Sequence, residues 1–237
     1  MPVLCGIHPV AEALRAGRPL DRILISKGAG GPRLQEIIDL ARRSSIPVRF
    51  EPREALERLA STSAHQGVIA LGTEKKYADL DSLTAPAKLL VILDGVEDPH
   101  NLGAIIRTAH AAGADAVVIP ERRAAGLTDT VAKAAAGALE HLSIIRVTNV
   151  NRTLEKLKEE GYWIYGIDER GTEFYHQVKW ASPTAIVLGA EGHGLHEQVR
   201  KKCDVLVRIP MAGEISSLNV SVAAGVILFK WRETVNG

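Results

Sequence analysis

Residues able to handle a charged or nucleophilic ligand gather in three short stretches, far apart in the chain. The first is LDGVEDPHNLGAIIRTA, residues 93–109. Asn101 stands where it can cap the following helix. Arg107 lies four residues after Gly103, so the two share a helix face, and helical side chains lean toward the N-terminus. With no side chain at Gly103, the guanidinium can reach back toward the loop. A fixed positive charge beside bare N–H groups suits a phosphate. The second stretch is IVLGAEGHGL, residues 186–195. Gly189, Gly192 and Gly194 let backbone approach a ligand closely. Glu191 sits between glycines, where a carboxylate belongs neither to a helix surface nor to a core. The third is RIPMAGEISSLNVSVAAG, residues 208–225. Ile209, Pro210 and Met211 form an apolar turn. Ser216, Ser217 and Asn219 then head a helix that is apolar on almost every face. Ser216 or Ser217 can cap it, which leaves Asn219 needing another partner.

Other patterns lead elsewhere or nowhere. His193 and His196 have a spacing used by metal sites but no third ligand nearby, so they read as surface histidines and no metal is expected. The glycines do not form G-x-G-x-x-G, and no ribose-binding acid follows them, which weakens a nicotinamide-dependent oxidoreductase. Cys5 and Cys203 are two thiols without metal spacing and suit a reducing compartment. The N-terminus lacks a charged region followed by a long apolar one, and no run could span a bilayer. A cytoplasmic protein without membrane contact is expected.

The elements that must position these loops alternate between strand and helix. Strands are expected at 22–26, 47–50 and 68–71, with helices at 9–16, 32–44 and 53–60. Residues 74–87, EKKYADLDSLTAPA, read as a polar linker. After it come strands at 89–93, 116–119, 142–147, 162–167, 184–188 and 206–209, with helices at 102–112, 131–138 and 152–160 and a final helix from Leu218. The pattern is α/β, in two domains, 1–73 and 88–237. The three polar stretches all begin at strand ends, where open α/β sheets place ligands. Residues 1–73 carry 10 Lys and Arg against 7 Asp and Glu, and the remainder carry 19 against 21. A mildly basic front half permits nucleic-acid binding.

Taken together, N-L-G-A-I-I-R-T-A, L-G-A-E-G-x-G and I-P-M-A-G…S-L-N-V-S-V-A resemble, in order and spacing, the three signature motifs of the SpoU (TrmH) family of RNA ribose 2′-O-methyltransferases. The front segment, with GIHPVAEAL and HQGVIAL, resembles the substrate-binding domain of that family's ribosomal-RNA branch, a domain similar to RNA-binding ribosomal proteins. The resemblance implies a C-terminal domain with a deep trefoil knot, against the usual rule of unknotted chains. It implies S-adenosyl-L-methionine as cofactor, RNA as partner, a guanosine ribose of 23S rRNA as substrate, and a homodimer whose sites borrow residues from both subunits. By motif it puts the catalytic roles on Asn101, Arg107, Glu191, Ser217 and Asn219. Cofactor binding falls on Leu188, Gly189, Gly192, Ile209, Met211 and Leu218. Glu214 departs from the family pattern, where a serine is more usual.

The chemistry so implied is an in-line displacement at carbon. A sulfonium is already a good leaving group, so the protein must orient the 2′-hydroxyl and stabilise the charge that develops on it. Arginine's pKa, above about 12, makes it a poor base, so Arg107 is expected to anchor phosphate and stabilise the alkoxide. A tRNA-directed enzyme and a non-catalytic RNA-binding module are the alternatives on the same scaffold.

Overall fold

A computed structural model describes residues 3–73, 75–83, 87–214 and 217–236. The chain divides into two compact units. One comprises residues 1–76 with 127–141, and the other 77–126 with 142–237.

The first unit holds a mixed four-stranded sheet built from β1 (Val3–Cys5), β2 (Leu20–Ser26), β3 (Val48–Glu51) and β4 (Val68–Gly72), in the order β1-β4-β2-β3. Helices α1 (Ile7–Arg15), α2 (Pro32–Arg43) and α3 (Arg53–Ala60) accompany it, with a further helix contributed by 127–141. Val10, Leu14, Ile23, Ile25, Leu34, Ile37 and Val68 form one buried cluster, and Leu24, Leu56, Ile69 and Leu71 another. Alternate residues of β2 and β4 thus serve opposite faces of the sheet, as the pleat requires.

The second unit is a wholly parallel seven-stranded sheet. Its strands are β5 (Leu89–Asp94), β6 (Ala116–Pro120), β7 (Ser143–Val147), β8 (Trp163–Ile167), β9 (Glu173–Phe174), β10 (Thr184–Gly189) and β11 (Val205–Arg208). They lie in the order β7-β6-β5-β10-β8-β11-β9. β5 and β10 are buried at every residue, as strands covered on both faces must be. Helices α4 (Pro99–Ala112), α6 (Val150–Glu159), α7 (Glu197–Lys202) and α8 (Val220–Asn236) cover them. Leu154 and Leu157 of α6 and Val199 of α7 share a core with Leu90, Ile92, Val118 and Val187. α8 packs along α4 and is tied down by Arg232 Nη1 donating to the Ala111 carbonyl at 2.6 Å and Trp231 Nε1 donating to Thr184 Oγ1 at 2.9 Å.

Three differences from the sequence reading have physical causes. Residues 127–141, expected within the 88–237 domain, pack with the first unit instead. This excursion carries α5 (Asp129–Ala135) and a 3-10 turn at 138–140. Polar pairing holds it there: Arg18 Nη1 donates to Glu140 Oε1 at 2.7 Å, and His141 Nε2 lies 2.7 Å from Glu12 Oε2. The expected linker is partly structured, since Ala78 bridges Ile145 and a 3-10 turn spans Leu80–Ser82. Finally, α4 starts at Pro99, three residues before the expected Leu102. Pro at the first position costs no hydrogen bond, and Asp98 supplies the cap by accepting from the His100 N–H at 2.7 Å. Asn101 is therefore not the cap but lies within the first turn.

Candidate active site at the carboxyl ends of the parallel strands

Three strands of the second sheet end around one cavity of about 210 Å³. Ile167, Asp168 and Glu169 line it from the end of β8, Leu188 to Gly192 from the end of β10, and Ile209 and Met211 from beyond β11. Ser217, Leu218, Val220 and Ala223 close it from the head of α8. Order reverses across the sheet next to β5, since the chain runs outward through β6 and β7 and then returns to place β10 and β8 on the other side. Such a switch point opens a crevice at the carboxyl ends.

All six expected cofactor-binding residues, Leu188, Gly189, Gly192, Ile209, Met211 and Leu218, line this cavity, as do Glu191 and Ser217. Gly189 cannot be anything larger. A Cβ there would lie 2.2 Å from the backbone of Gly194, because the glycine loop folds back on β10 through paired Ala190–Gly194 backbone bonds. Ser216 lies outside the described residues.

Asn101, Glu191 and Asn219, one from each polar stretch, meet in a single hydrogen-bonded cluster. Asn101 Nδ2 donates to Glu191 Oε2 at 3.1 Å. Asn219 Nδ2 donates to Asn101 Oδ1 at 2.9 Å and to Glu191 Oε1 at 3.3 Å. The carbonyl oxygen of the same Asn219 side chain accepts from Ser221 N–H at 2.9 Å and Ser221 Oγ at 2.6 Å. Asn219 is thus itself the cap of α8, against the expectation that a serine would do this. An amide has an acceptor and two donors, so it can hold the helix start with one end and the other two loops with the other. Asn101 is buried, and an amide there requires these partners.

Arg107 behaves differently. It is exposed on α4, forms no ion pair or hydrogen bond among the described residues, and lines neither this cavity nor the one described next. The single chain does not bring it to the cluster.

A second cavity, of about 440 Å³, adjoins the first and shares Ala190, Glu191 and Val220 with it. It opens at the end of β5, among Gly95, Glu97, Asp98, Asn101, Arg123, His193 and His196. His196 is pinned to β5: its backbone N–H and its Nδ1 reach the Asp94 carboxylate at 2.8 and 3.0 Å.

Sequence reasoning missed the β8 end. The buried Asp168 carboxylate takes Arg170 Nε and Nη2, both at 2.7 Å, and the Arg170 backbone N–H at 3.0 Å. Burial alone would raise this carboxyl, but the Arg170 side chain and the backbone N–H groups of Arg170 and Leu195 outweigh it and hold it below its ordinary range. The signal was present, since Asp168-Glu169-Arg170-Gly171 follows a buried strand just as the other three loops do. Cys203 is free, and burial pushes its thiol up to about 12, so it is not a nucleophile at neutral pH.

Comparison with known proteins bears on these loops directly. Residues 88–229 match the SpoU rRNA Methylase family, and residues 3–78 match the domain described as RNA 2′-O ribose methyltransferase substrate binding. A Bacillus subtilis protein named for the TrmH family of tRNA/rRNA methyltransferases is 43% identical over 231 residues, which cover 95% of this chain and 92% of that one. The crystal structure of the SpoU methyltransferase AviRb from Streptomyces viridochromogenes, in complex with AdoMet, superimposes with a TM-score of 0.84 at 26% identity, covering 99% of this chain and 91% of that one. An AdoMet-bound rRNA methyltransferase from Sinorhizobium meliloti gives 0.82 over 98% and 87% of the two chains, and at 24% identity that likeness speaks for the fold alone.

Proposed function

We propose that this chain, which belongs to the SpoU rRNA methylase family, methylates the ribose 2′-hydroxyl of a guanosine in 23S rRNA. Membership makes it an S-adenosylmethionine-dependent RNA methyltransferase. The ribose oxygen, the ribosomal RNA and the guanosine are the proposal. The observation that carries it is the Asn101–Glu191–Asn219 cluster, set where two cavities adjoin. One cavity sets Leu188, Ile209, Met211 and Leu218 beside bare glycine backbone, which suits the cofactor, and the other gathers Glu97, Asn101, Arg123 and His193, which suits an acceptor nucleotide.

When bound in the first cavity, S-adenosylmethionine supplies a methyl group on a sulfonium, so that the new C–O bond forms as the C–S bonding pair stays on sulfur. Leu188, Ile209, Met211 and Leu218 would hold its apolar parts, while Gly189 and Gly192 would let backbone groups reach its polar ones. Glu169, exposed on the same wall, can accept from its ribose hydroxyls. Glu191, held by two asparagines, and Ser217 line the same cavity and would orient the reacting groups there. Arg107 of a second copy, reaching this site across a dimer interface, would anchor the RNA phosphate and stabilise charge developing on the 2′-oxygen, and the hydroxyl proton leaves toward solvent.

A homodimer belongs to the same reading. Val222 and Phe229 of α8 are 52% and 49% exposed, and Val226 lies between them at helical spacing, so an apolar stripe stays open on a helix packed along α4. A second copy covering it would also meet Arg107 on α4, which has no partner among the described residues, and complete a site with it. The trefoil knot in the second unit and a cytoplasmic location complete the proposal.

The experiment is methyl transfer from tritiated S-adenosylmethionine to transcripts of 23S rRNA, 16S rRNA and tRNA, followed by alkaline hydrolysis. A 2′-O-methyl group blocks cleavage, so label should appear in alkali-resistant dinucleotides from 23S rRNA. Label released in mononucleotides, or found only with tRNA, contradicts the proposal.

A further inference from the structure

The second cavity holds more polar groups than the fold uses. Asp98 caps α4, Asn101 and Glu191 bind each other and Asn219, and His196 is tied to Asp94. Beside the imidazole of His193, Glu97 and Arg123 remain. Both line the cavity, both are exposed, and among the described residues neither has a hydrogen bond or ion pair. Their positions are nonetheless fixed by backbone. Glu97 precedes the capping Asp98. Arg123 lies in the loop after β6, which is fastened by Ala125 N–H donating to the Val96 carbonyl at 3.1 Å and Glu121 N–H donating to the Val147 carbonyl at 2.9 Å. Arg123 itself has φ of +57°, a backbone conformation seldom adopted by a side chain of that size. A carboxylate and a guanidinium without partners are thus presented to one polar cavity that shares a wall with the donor site.

We infer that Glu97 and Arg123 read the base of the acceptor nucleotide, and that the base they fit is guanine. The inference rests on the methyltransferase reading above. A carboxylate only accepts hydrogen bonds. Guanine alone among the four bases has two adjacent donors on its pairing edge, N1–H and the 2-amino group, which a carboxylate can take together. Adenine and cytosine put a ring acceptor against it, and uracil flanks its single N–H with two carbonyls. On the other edge guanine offers O6 and N7, the pair that a guanidinium takes bidentately. Enzymes acting on single nucleotides read an extruded base in this way, by its exposed edge. Glu97 and Arg123 together match both edges of guanine and of no other base.

The test has two stages. Labelled RNA from the transfer reaction is digested to nucleosides, and the label should elute as 2′-O-methylguanosine. Label in another 2′-O-methylnucleoside overturns the inference while leaving the methyltransferase reading intact, whereas no transfer to any RNA overturns that reading and the inference with it. Next, Glu97→Gln and Arg123→Ala are compared with wild type on the mapped RNA. Each variant should lose tenfold or more in kcat/KM, within the roughly 1–3 kcal/mol expected of a bidentate base contact, with S-adenosylmethionine affinity unchanged. Replacing the target guanosine by inosine, which lacks the 2-amino group, should cost wild type about tenfold in kcat/KM and Glu97→Gln far less. Equal losses for the two proteins, or full activity of either variant on guanosine, would reject the inference.

Discussion

The two sheets of this protein use their polar residues in opposite ways. In the first unit, strands run in mixed directions, and its most buried charged side chains pair within the fold. Arg18 pairs with Glu140, with only 11% and 5% of the side chains exposed, and Glu12 takes both Arg15 and His141. In the second unit every strand points the same way, so all loops that follow strands gather at one end. The side chains of those loops are tied mainly to one another, through Asn101, Glu191 and Asn219. Parallel topology brings residues 90 and 118 positions apart to one cluster, at the cost of long crossovers that must be covered by helices.

Substitutions can break or sharpen this contrast. The largest effect is expected at Arg18→Ala, which strands the Glu140 carboxylate in a buried place. Removing one partner of such a pair costs roughly 3 kcal/mol or more. Thermal denaturation should show a fall of several degrees, with S-adenosylmethionine affinity by calorimetry untouched. Arg107→Ala should do the reverse. Turnover should drop a hundredfold or more, on the scale of about 2.7 kcal/mol for losing a charge-stabilising donor, while melting temperature and cofactor affinity stay at wild-type values. Asn219→Ser separates the two tasks of one residue. A serine still caps α8, so stability should change by only a few tenths of a kcal/mol. It is too short to reach Asn101 and Glu191, so turnover should fall about tenfold, the scale of one charged hydrogen bond. A loss of stability without a loss of turnover would show that Asn219 serves only the helix.

The smallest effect concerns pH. Burial tends to raise the Glu12 carboxyl, but hydrogen bonds from His141 and Arg15 outweigh it and hold it below its ordinary range. A carboxyl depressed in the folded state contributes stability at pH above its unfolded value and loses it as pH falls through the folded one. Between pH 6 and pH 3, wild type should therefore lose slightly more stability than Glu12→Gln, measured by denaturant titration at each pH. Parallel curves would mean that the pair contributes nothing.

Much of this was legible in the chain, for identifiable reasons. The buried strands LLVIL and TAIVL announce themselves because strands covered on both faces must be apolar throughout. The site loops announce themselves because a carboxylate between glycines, or an asparagine at the head of an apolar helix, serves no packing purpose. Three things were hidden. The excursion of 127–141 into the first unit depends on Arg18–Glu140 and Glu12–His141, pairs far apart in sequence that no local pattern displays. The two ends of Asn219 cannot be assigned from sequence, because either a serine or the asparagine satisfies the capping rule. Asp168 was passed over because Asp-Glu-Arg-Gly has the composition of an ordinary turn.

The central claim is that one cofactor site is assembled from the carboxyl ends of the parallel strands, with the first unit taking no part in it. Amide hydrogen exchange with and without S-adenosylmethionine tests this most directly. Slowed exchange is expected at 167–169, 188–192, 209–211 and 217–220, and unchanged exchange across β1 to β4. Protection that appears in the first unit, or that spares the glycine loop and the head of α8, would contradict it.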